Sequence, residues 1–368
     1  MEIAEQGEVP AQEKTGYSVF TEGLVRGDIH NLKEARPQRA LDPNRAFPYN
    51  WSMDSIYVMQ NGRQASVPYP LYEPEVRALA DFVVEHPNLV GLNDCHSYGG
   101  IHISPIEFCP EREPLMEDAI SYGVLGGKGA AMTGYKVHGI FPPGAKHFIK
   151  GAFITWAYYM YGVFSWTTEI WSYLSQSNPN RSDERTPHDE QLPDQKILLD
   201  WDDAENNGEG FMLWTTFHHP QLEMAEIGGW RDKTMRYNPP RKFIAQECKK
   251  ARDFTYLNLS ALPRLALRVT DAVRSGTGYR LQVEVASEGY LPTSGCKMAE
   301  TLNEATPVQL YAMQGASRTS DCCLGHLPGL VKAFEELYVS GNPGDTLQIT
   351  ARAGKVCPAS ITYVLPEM

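Results

Sequence analysis

The sequence predicts an α/β domain over residues 1–255 followed by a small antiparallel β-sandwich over residues 262–368. Three observations lead there. Up to about residue 255, helical patterns alternate with buried-strand patterns, the texture of helices layered on a sheet. Beyond residue 262 the pattern becomes short period-two runs separated by Gly-, Pro- and Ser-containing turns. A chain of 368 residues is also long enough for more than one core.

The elements follow in order. YEPEVRALADFVVEHP reads as an amphipathic helix with Glu73 and Glu75 in its first turn, where the helix dipole favours carboxylates. The apolar run in NLVGLNDCHSYGG reads as a strand that delivers His96 at its end, ahead of Ser97, Tyr98 and two glycines. GAFITWAYYMYGVFSWTTEIWS reads as an aromatic-rich helix over roughly 152–160 that passes Gly162 into an apolar strand ending near Glu169. Residues 175–195, SQSNPNRSDERTPHDEQLPDQ, hold too few apolar side chains to pack and read as a surface loop. LALRVTDAV, YRLQVEVAS, PVQLYAMQG and DTLQITARA then supply strands, and five to seven of them in the remaining length predict the sandwich.

Charge and cysteine usage narrow the function classes. The net charge is −12, with no basic run to offset it, which argues against nucleic acid and anionic membrane as partners. No apolar stretch approaches the roughly 20 residues of a membrane span. The N-terminus, MEIAEQGEVPAQEKTG, has neither a basic nor an apolar leader region, so the chain as given reads as cytoplasmic, with secretion open if a leader precedes it. Seven scattered cysteines form no CxxC pair, and one disulfide among the four beyond residue 290 stays open.

Three segments hold candidate chemistry. In LDPNRAFPYNW, the Arg45 guanidinium offers a planar fork that grips a carboxylate, and the Asn44 amide adds a donor. His96 at a strand end can reach a metal through an imidazole nitrogen. Glu169 closes an aromatic strand, a setting where a carboxylate needs a cation, a metal-bound water or hydrogen bonds. Each has a plain structural alternative: a surface ion pair for Arg45, a satisfied histidine for His96, and a buried Glu paired with Arg or Lys for Glu169. His218-His219-Pro220 before Gly228-Gly229 reads as a turn between strands rather than a metal cluster.

Together these segments resemble the second half of the metallocarboxypeptidase (peptidase M14) catalytic domain, in order and spacing. The family's Asn-Arg stretch matches DPNRAF at 42–47, and its His-Ser-Tyr element matches His96-Ser97-Tyr98. Its aromatic strand ending in the catalytic Glu matches Trp166 to Ile170 with Glu169, and a family Trp ahead of that Glu matches Trp156. The resemblance covers about residues 17–175 and implies a mixed, eight-stranded-type sheet flanked by helices.

It also implies an activity, removal of C-terminal residues from peptides. Zn²⁺ would polarise the scissile carbonyl and acidify its water, and Glu169 would take the proton and return it to the leaving amine. His96 is then a metal ligand, and Asn44 and Arg45 hold the terminal carboxylate. Ser97 and Tyr98 fall among the substrate-binding residues, and Arg26 is placed like the arginine that stabilises the oxyanion. His147 falls where digestive members carry a mobile Tyr. Ile154, with Thr155 beside it, falls at the specificity position and favours an uncharged substrate side chain.

One departure is large. The family's first two zinc ligands come from an HxxE motif that would lie before Met1, and no histidine in this chain is followed by Glu three positions on. One imidazole falls short of the three protein ligands of a catalytic zinc, so the metal site is expected to be incomplete in this chain. The alternatives are a non-catalytic relative that binds peptide C-termini, and a related amidase or deacylase.

Overall fold

The computed structural model describes residues 25–26, 36–37, 43–51, 69–107, 115–141, 150–177, 192–219, 223–235 and 237–367. The first ladder is two residues long, β1 (Val25–Arg26) against β2 (Arg36–Pro37). Helix α1 (Pro74–Glu85) forms where the apolar period predicts it. Proline stands at its first position, where an N–H has no intrahelical partner to lose, and Val76, Ala80 and Val83 form its buried face.

The helix leads to β3 (Gly91–His96) and, after a glycine bend, β4 (Ile101–Glu107). Helix α2 (Met116–Thr133), β5 (Lys136–Phe141), α3 (Phe153–Tyr161) and β6 (Phe164–Glu169) complete the first sheet. Its order is β3-β6-β4-β5, with β3/β6 and β4/β5 parallel and β4/β6 antiparallel. The sheet is mixed, as expected, and among the described residues it has four strands rather than eight.

Helix α2 is the element least expected from composition, since Gly123, Gly126, Gly127 and Gly129 all disfavour helix. Packing overrides propensity here. A Cβ on Gly129 would lie 2.4 Å from the Phe254 ring, so only glycine lets the two helices approach this closely.

Beyond β6 come α4 (Tyr173–Ser177), α5 (Leu192–Asn206) and an antiparallel hairpin of β7 (Phe211–His219) and β8 (Glu223–Trp230). His218 and His219 end β7, paired with Met224 and Glu223, whereas Gly228-Gly229, expected in a turn, lie within β8. Residues 178–191, most of the expected surface loop, lie outside the described residues. Helix α6 (Asp232–Met235) precedes α7 (Ile244–Ala261), which runs past the expected boundary at residue 255.

Residues 265–364 hold β9 (Leu265–Ser275), β10 (Gly278–Ser287), α8 (Lys297–Thr301), β11 (Val308–Gln314), β12 (Ser317–Gly325), β13 (Val331–Ser340), β14 (Thr346–Ala353) and β15 (Val356–Val364). They form two antiparallel sheets, β13-β10-β9 and β12-β11-β14-β15. Alternate residues of both sheets meet in one buried cluster, with Leu281, Val283 and Val285 from one and Leu310, Leu347 and Ile349 from the other.

The connection from β10 to β11 packs on the first sheet's helices. Leu291, Cys296, Ala299 and Ala305 share a buried cluster with Tyr122, Phe164, Trp166 and Phe254. Asp118 of α2 anchors it, accepting the Lys297 and Met298 N–H groups at 2.7 and 2.9 Å and the Tyr158 hydroxyl at 2.7 Å. Those N–H groups are the unpaired donors at the start of α8, so the carboxylate caps a helix from another element. Cys296, Cys322, Cys323 and Cys357 are all free thiols, which removes the disulfide left open by their number. Among the described residues no helix is long and apolar enough to cross a membrane.

Candidate active site at the ends of β3 and β6

Strands β3 and β6 run parallel in a register that pairs Gly91 with Phe164 and ends by pairing His96 with Glu169. Two candidate residues some seventy positions apart in sequence are thereby brought to the same edge of the sheet, at its carboxyl ends, where α/β sheets open onto ligands. Side chains cross-link the strands behind them. Thr168 Oγ1 donates to Asn93 Oδ1 at 2.8 Å, and Asn93 Nδ2 donates to Thr255 of α7 at 3.1 Å.

The chain leaves His96 through a cis peptide between Ser97 and Tyr98 and turns at Gly99 and Gly100. The turn is fastened to the residues around Glu169: Ile170 N–H donates to His96 O at 2.8 Å, Gly99 N–H to Trp171 O at 2.7 Å and Gly100 N–H to Glu169 O at 2.8 Å. Gly100 has φ +64, and a Cβ there would lie 3.0 Å from Ser172 Cβ, so the two-glycine sequence is what the bend requires. Below it the Tyr135 hydroxyl accepts the Trp171 N–H at 2.9 Å and donates to Glu247, which pairs with Lys250 at 2.6 Å. Burial, with the Glu247 carboxylate bonded to it, raises the Tyr135 phenol well above its usual range, so it stays a donor.

Asn44 approaches from a short helical turn, Pro43–Arg45. Its Oδ1 accepts the Phe153 N–H at 2.7 Å, satisfying a free donor at the start of α3 and fixing which way the amide faces. Its Nδ2 then lies 3.4 Å from His96 Nε2. The same His96 nitrogen lies 2.7 Å from Asp94 Oδ2. Asn44, Asp94 and His96 line one cleft of about 300 Å³, together with Phe47, Glu75 and Phe153.

The other expected residues are distributed differently. Arg45 is half-buried, donates from its guanidinium to Asn44 O at 2.6 Å and does not line this cleft. Ser97 is exposed, and Tyr98 packs its ring against Tyr173 and Tyr237, with centroids 5.4 and 5.3 Å away. Ile154 is 1% exposed and sits in the core with Ala152, Leu92 and Ile103, so the expected specificity position lies beneath the surface of this structure. Trp156 is a core residue against Phe47 and Phe153. Arg26 is described through its backbone, opposite Arg36. His147 lies outside the described residues.

Asp94 and Glu75 are absent from the sequence-derived set. Asp94 was within reach of it: two residues before His96 in a strand, its side chain must share His96's face. Cys95 between them faces the other way, and burial with the Asp94 charge raises its thiol, which rules against a thiolate nucleophile. His102 is also not part of the site. It is fully buried between Thr168 and Thr133, at 3.2 and 3.0 Å, stacked on Phe254 at 3.6 Å, and burial lowers its pKa to about 4.

As a zinc site the described donors fall short. Among the described residues no group of three His, Cys, Asp or Glu side chains could hold a metal ion, and His96 with its carboxylate neighbour does not supply the usual three ligands.

Residues 16–193 match the family model for zinc carboxypeptidase. No curated protein matches the chain. Solved structures similar to it include thrombin-activatable fibrinolysis inhibitor, at 17% identity and TM-score 0.31, covering 39% of this chain and 39% of that one. The bovine form of that protein, in complex with tick carboxypeptidase inhibitor, aligns at 19% identity and TM-score 0.30, over 39% of this chain and 52% of that one. Carboxypeptidase A from Helicoverpa armigera aligns at 20% identity and TM-score 0.30, over 46% of this chain and 38% of that one. The chain thus spans about half or less of the length of each. The matched segment, just under half of the chain, contains Asn44-Arg45, His96-Ser97-Tyr98 and Glu169, and residues 16–193 are thus similar to a zinc carboxypeptidase.

Proposed function

We propose that the chain is a metallocarboxypeptidase-type hydrolase that removes C-terminal residues from peptides with the help of zinc. The observation that carries the reading is the meeting of Asn44, His96 and Glu169 at the carboxyl ends of β3 and β6, beside a cleft of about 300 Å³. In this reading the Asn44 amide and the Arg45 guanidinium receive the peptide's terminal carboxylate. Glu169 accepts a proton from the attacking water and returns it to the leaving amine. His96 gives zinc one ligand, and the others are not among the described residues. The two sheets of residues 262–368 are read as a β-sandwich accessory to residues 1–255.

The test is a panel of peptides offered as free acids and as C-terminal amides, with zinc content measured on the same protein. Release of single C-terminal residues from the free acids only is the expected result. Binding of free acids without release would replace the reading with that of a non-catalytic peptide-end binder. Cleavage of acyl-amino acids but not peptides would replace it with an amidase.

A further inference from the structure

We infer that a second cleft, between the end of α1 and the β14–β15 turn, binds a small amphipathic carboxylate. Lys355 and Arg352 would receive its acid group, and Leu259 and Leu262 its apolar body. The cleft has a volume of about 810 Å³ and shares no residue with the one that Asn44 and His96 line. The inference is independent of the proposed hydrolysis.

Lys355 stands in the turn between β14 and β15, is 4% exposed, and donates from Nζ to Leu89 O at 2.9 Å. That bond ties the turn to the segment after α1 and uses one of the three ammonium N–H groups. Among the described residues Lys355 forms no ion pair. A lysine is seldom this buried without an anion beside it, because taking an ammonium out of water costs free energy that one carbonyl offsets only in part. Burial accordingly lowers its pKa, with Cys296 and Glu304 acting in the opposite sense.

The rest of the wall identifies the class of ligand. Arg352 is exposed and lines the same cleft, and none of the lining residues is Asp or Glu. In a chain of net charge −12, two cations on a wall without carboxylates make a local field that draws an anion. Leu89, Val90, Leu259, Leu262, Pro263 and Val356 make most of the remaining wall apolar, and Asn88 and Thr306 add exposed neutral hydrogen-bonding groups. An inorganic anion would leave the apolar wall unused. A neutral apolar molecule would leave the buried ammonium without a counter-charge. A carboxylate on an apolar chain answers both, and the cleft's volume falls within the range of ligand pockets, roughly 300–1,000 Å³.

The test is calorimetric titration of the full chain with decanoate, decan-1-ol and acetate, each below the concentration at which it aggregates. Decanoate is expected to bind once per chain and to raise the melting temperature, as a ligand of the folded state does. Decan-1-ol, which lacks the charge, and acetate, which lacks the chain, should each bind weaker by about tenfold or more. Lys355→Met keeps the apolar stem and removes the charge, so it should weaken decanoate by about tenfold and leave decan-1-ol unchanged. Leu259 is 51% exposed and tolerates a charge, and Leu259→Glu sets a repelling carboxylate on the wall. It should weaken decanoate more than decan-1-ol, so the outcome does not hinge on whether Lys355→Met folds. Absence of decanoate binding, several decanoates per chain, or decan-1-ol or acetate bound as tightly as decanoate would overturn the inference. So would a decanoate affinity unmoved in either folded variant, and Lys355 would then serve only to tie the turn to Leu89.

Discussion

Glu169 stands opposite His96 across the parallel β3/β6 pair, and the two backbones are joined where Ile170 N–H meets His96 O at 2.8 Å. That coupling fixes the carboxylate relative to the imidazole through main-chain bonds, which a side-chain substitution leaves in place. Glu169→Gln is therefore expected to keep the fold and remove the proton acceptor. Turnover of free-acid peptides should fall by about 10²–10⁴-fold, the usual share of a general base. The check is kcat together with a melting curve; retained turnover in a folded variant would remove Glu169 from the mechanism.

Asn44 has two tasks that substitutions can separate. Asp keeps an acceptor for the Phe153 N–H but loses the amide donor, and it places a negative charge where a carboxylate is to bind. Asn44→Asp should therefore leave stability nearly unchanged while weakening peptide binding by about tenfold or more, the scale of one charge-assisted bond. Asn44→Ala loses both and should in addition lower stability by about 1 kcal/mol, as a lost helix cap does. Titration of free-acid peptides beside denaturant unfolding distinguishes the two effects.

These contrasts show what was legible in the sequence. Strands β3, β6, β9, β10, β11 and β14 and helices α1 and α3 all fall where period, apolar runs and turn residues place them. Helix α2 was hidden by its glycines, of which Gly129 answers to Phe254 more than a hundred residues away and Gly126 to Val137 and Trp166, rather than to local propensity. The motif residues Asn44, His96 and Glu169 could be singled out by spacing. Their meeting could not, since it depends on strand register and on the Asn44 bond to α3. The role of residues 291–305 was equally invisible, because Cys296 and Ala299 pack on the first sheet's helices while their flanking strands belong to another core.

His102 makes stability depend on pH. Its pKa is about 4 when folded against 6.5 for the free side chain, and the cause is burial. Between those values the unfolded chain binds more protons, so this residue's contribution is complete above about pH 6.5 and is lost as pH falls toward 4. The difference amounts to about 3 kcal/mol. Asp118 acts with the opposite sign, since burial raises its carboxyl pKa. Comparison with His102→Gln isolates the imidazole: the denaturant midpoint should fall more steeply with acid in the wild type than in the variant. Parallel pH dependences would show that His102 does not carry it.

The shared cluster around Trp166 predicts how the chain divides. A fragment ending at Ala261 loses Leu291, Cys296, Ala299 and Ala305 from a cluster that holds Tyr122, Phe164, Trp166 and Phe254. It also leaves the Asp118 carboxylate, 2% exposed in the whole chain, without the Lys297 and Met298 N–H groups. A buried acceptor that loses its donors costs about 1–3 kcal/mol, more when charged, and each uncovered large side chain adds about 1.5–3 kcal/mol. Those sums are comparable with the whole stability of a domain. Residues 1–261 alone are thus expected to bind hydrophobic dye and melt without cooperativity. Residues 262–368 keep both sheets and the cluster of Leu281, Leu310 and Ile349, and should melt cooperatively. In the full chain, Asp118→Ala should cost about 3 kcal/mol and Asp118→Asn less, because one acceptor remains. Calorimetry of both fragments and both variants is the measurement; a cooperative, wild-type-like transition from residues 1–261 would mean that the β10–β11 connection only rests on the first sheet's helices and does not complete their core.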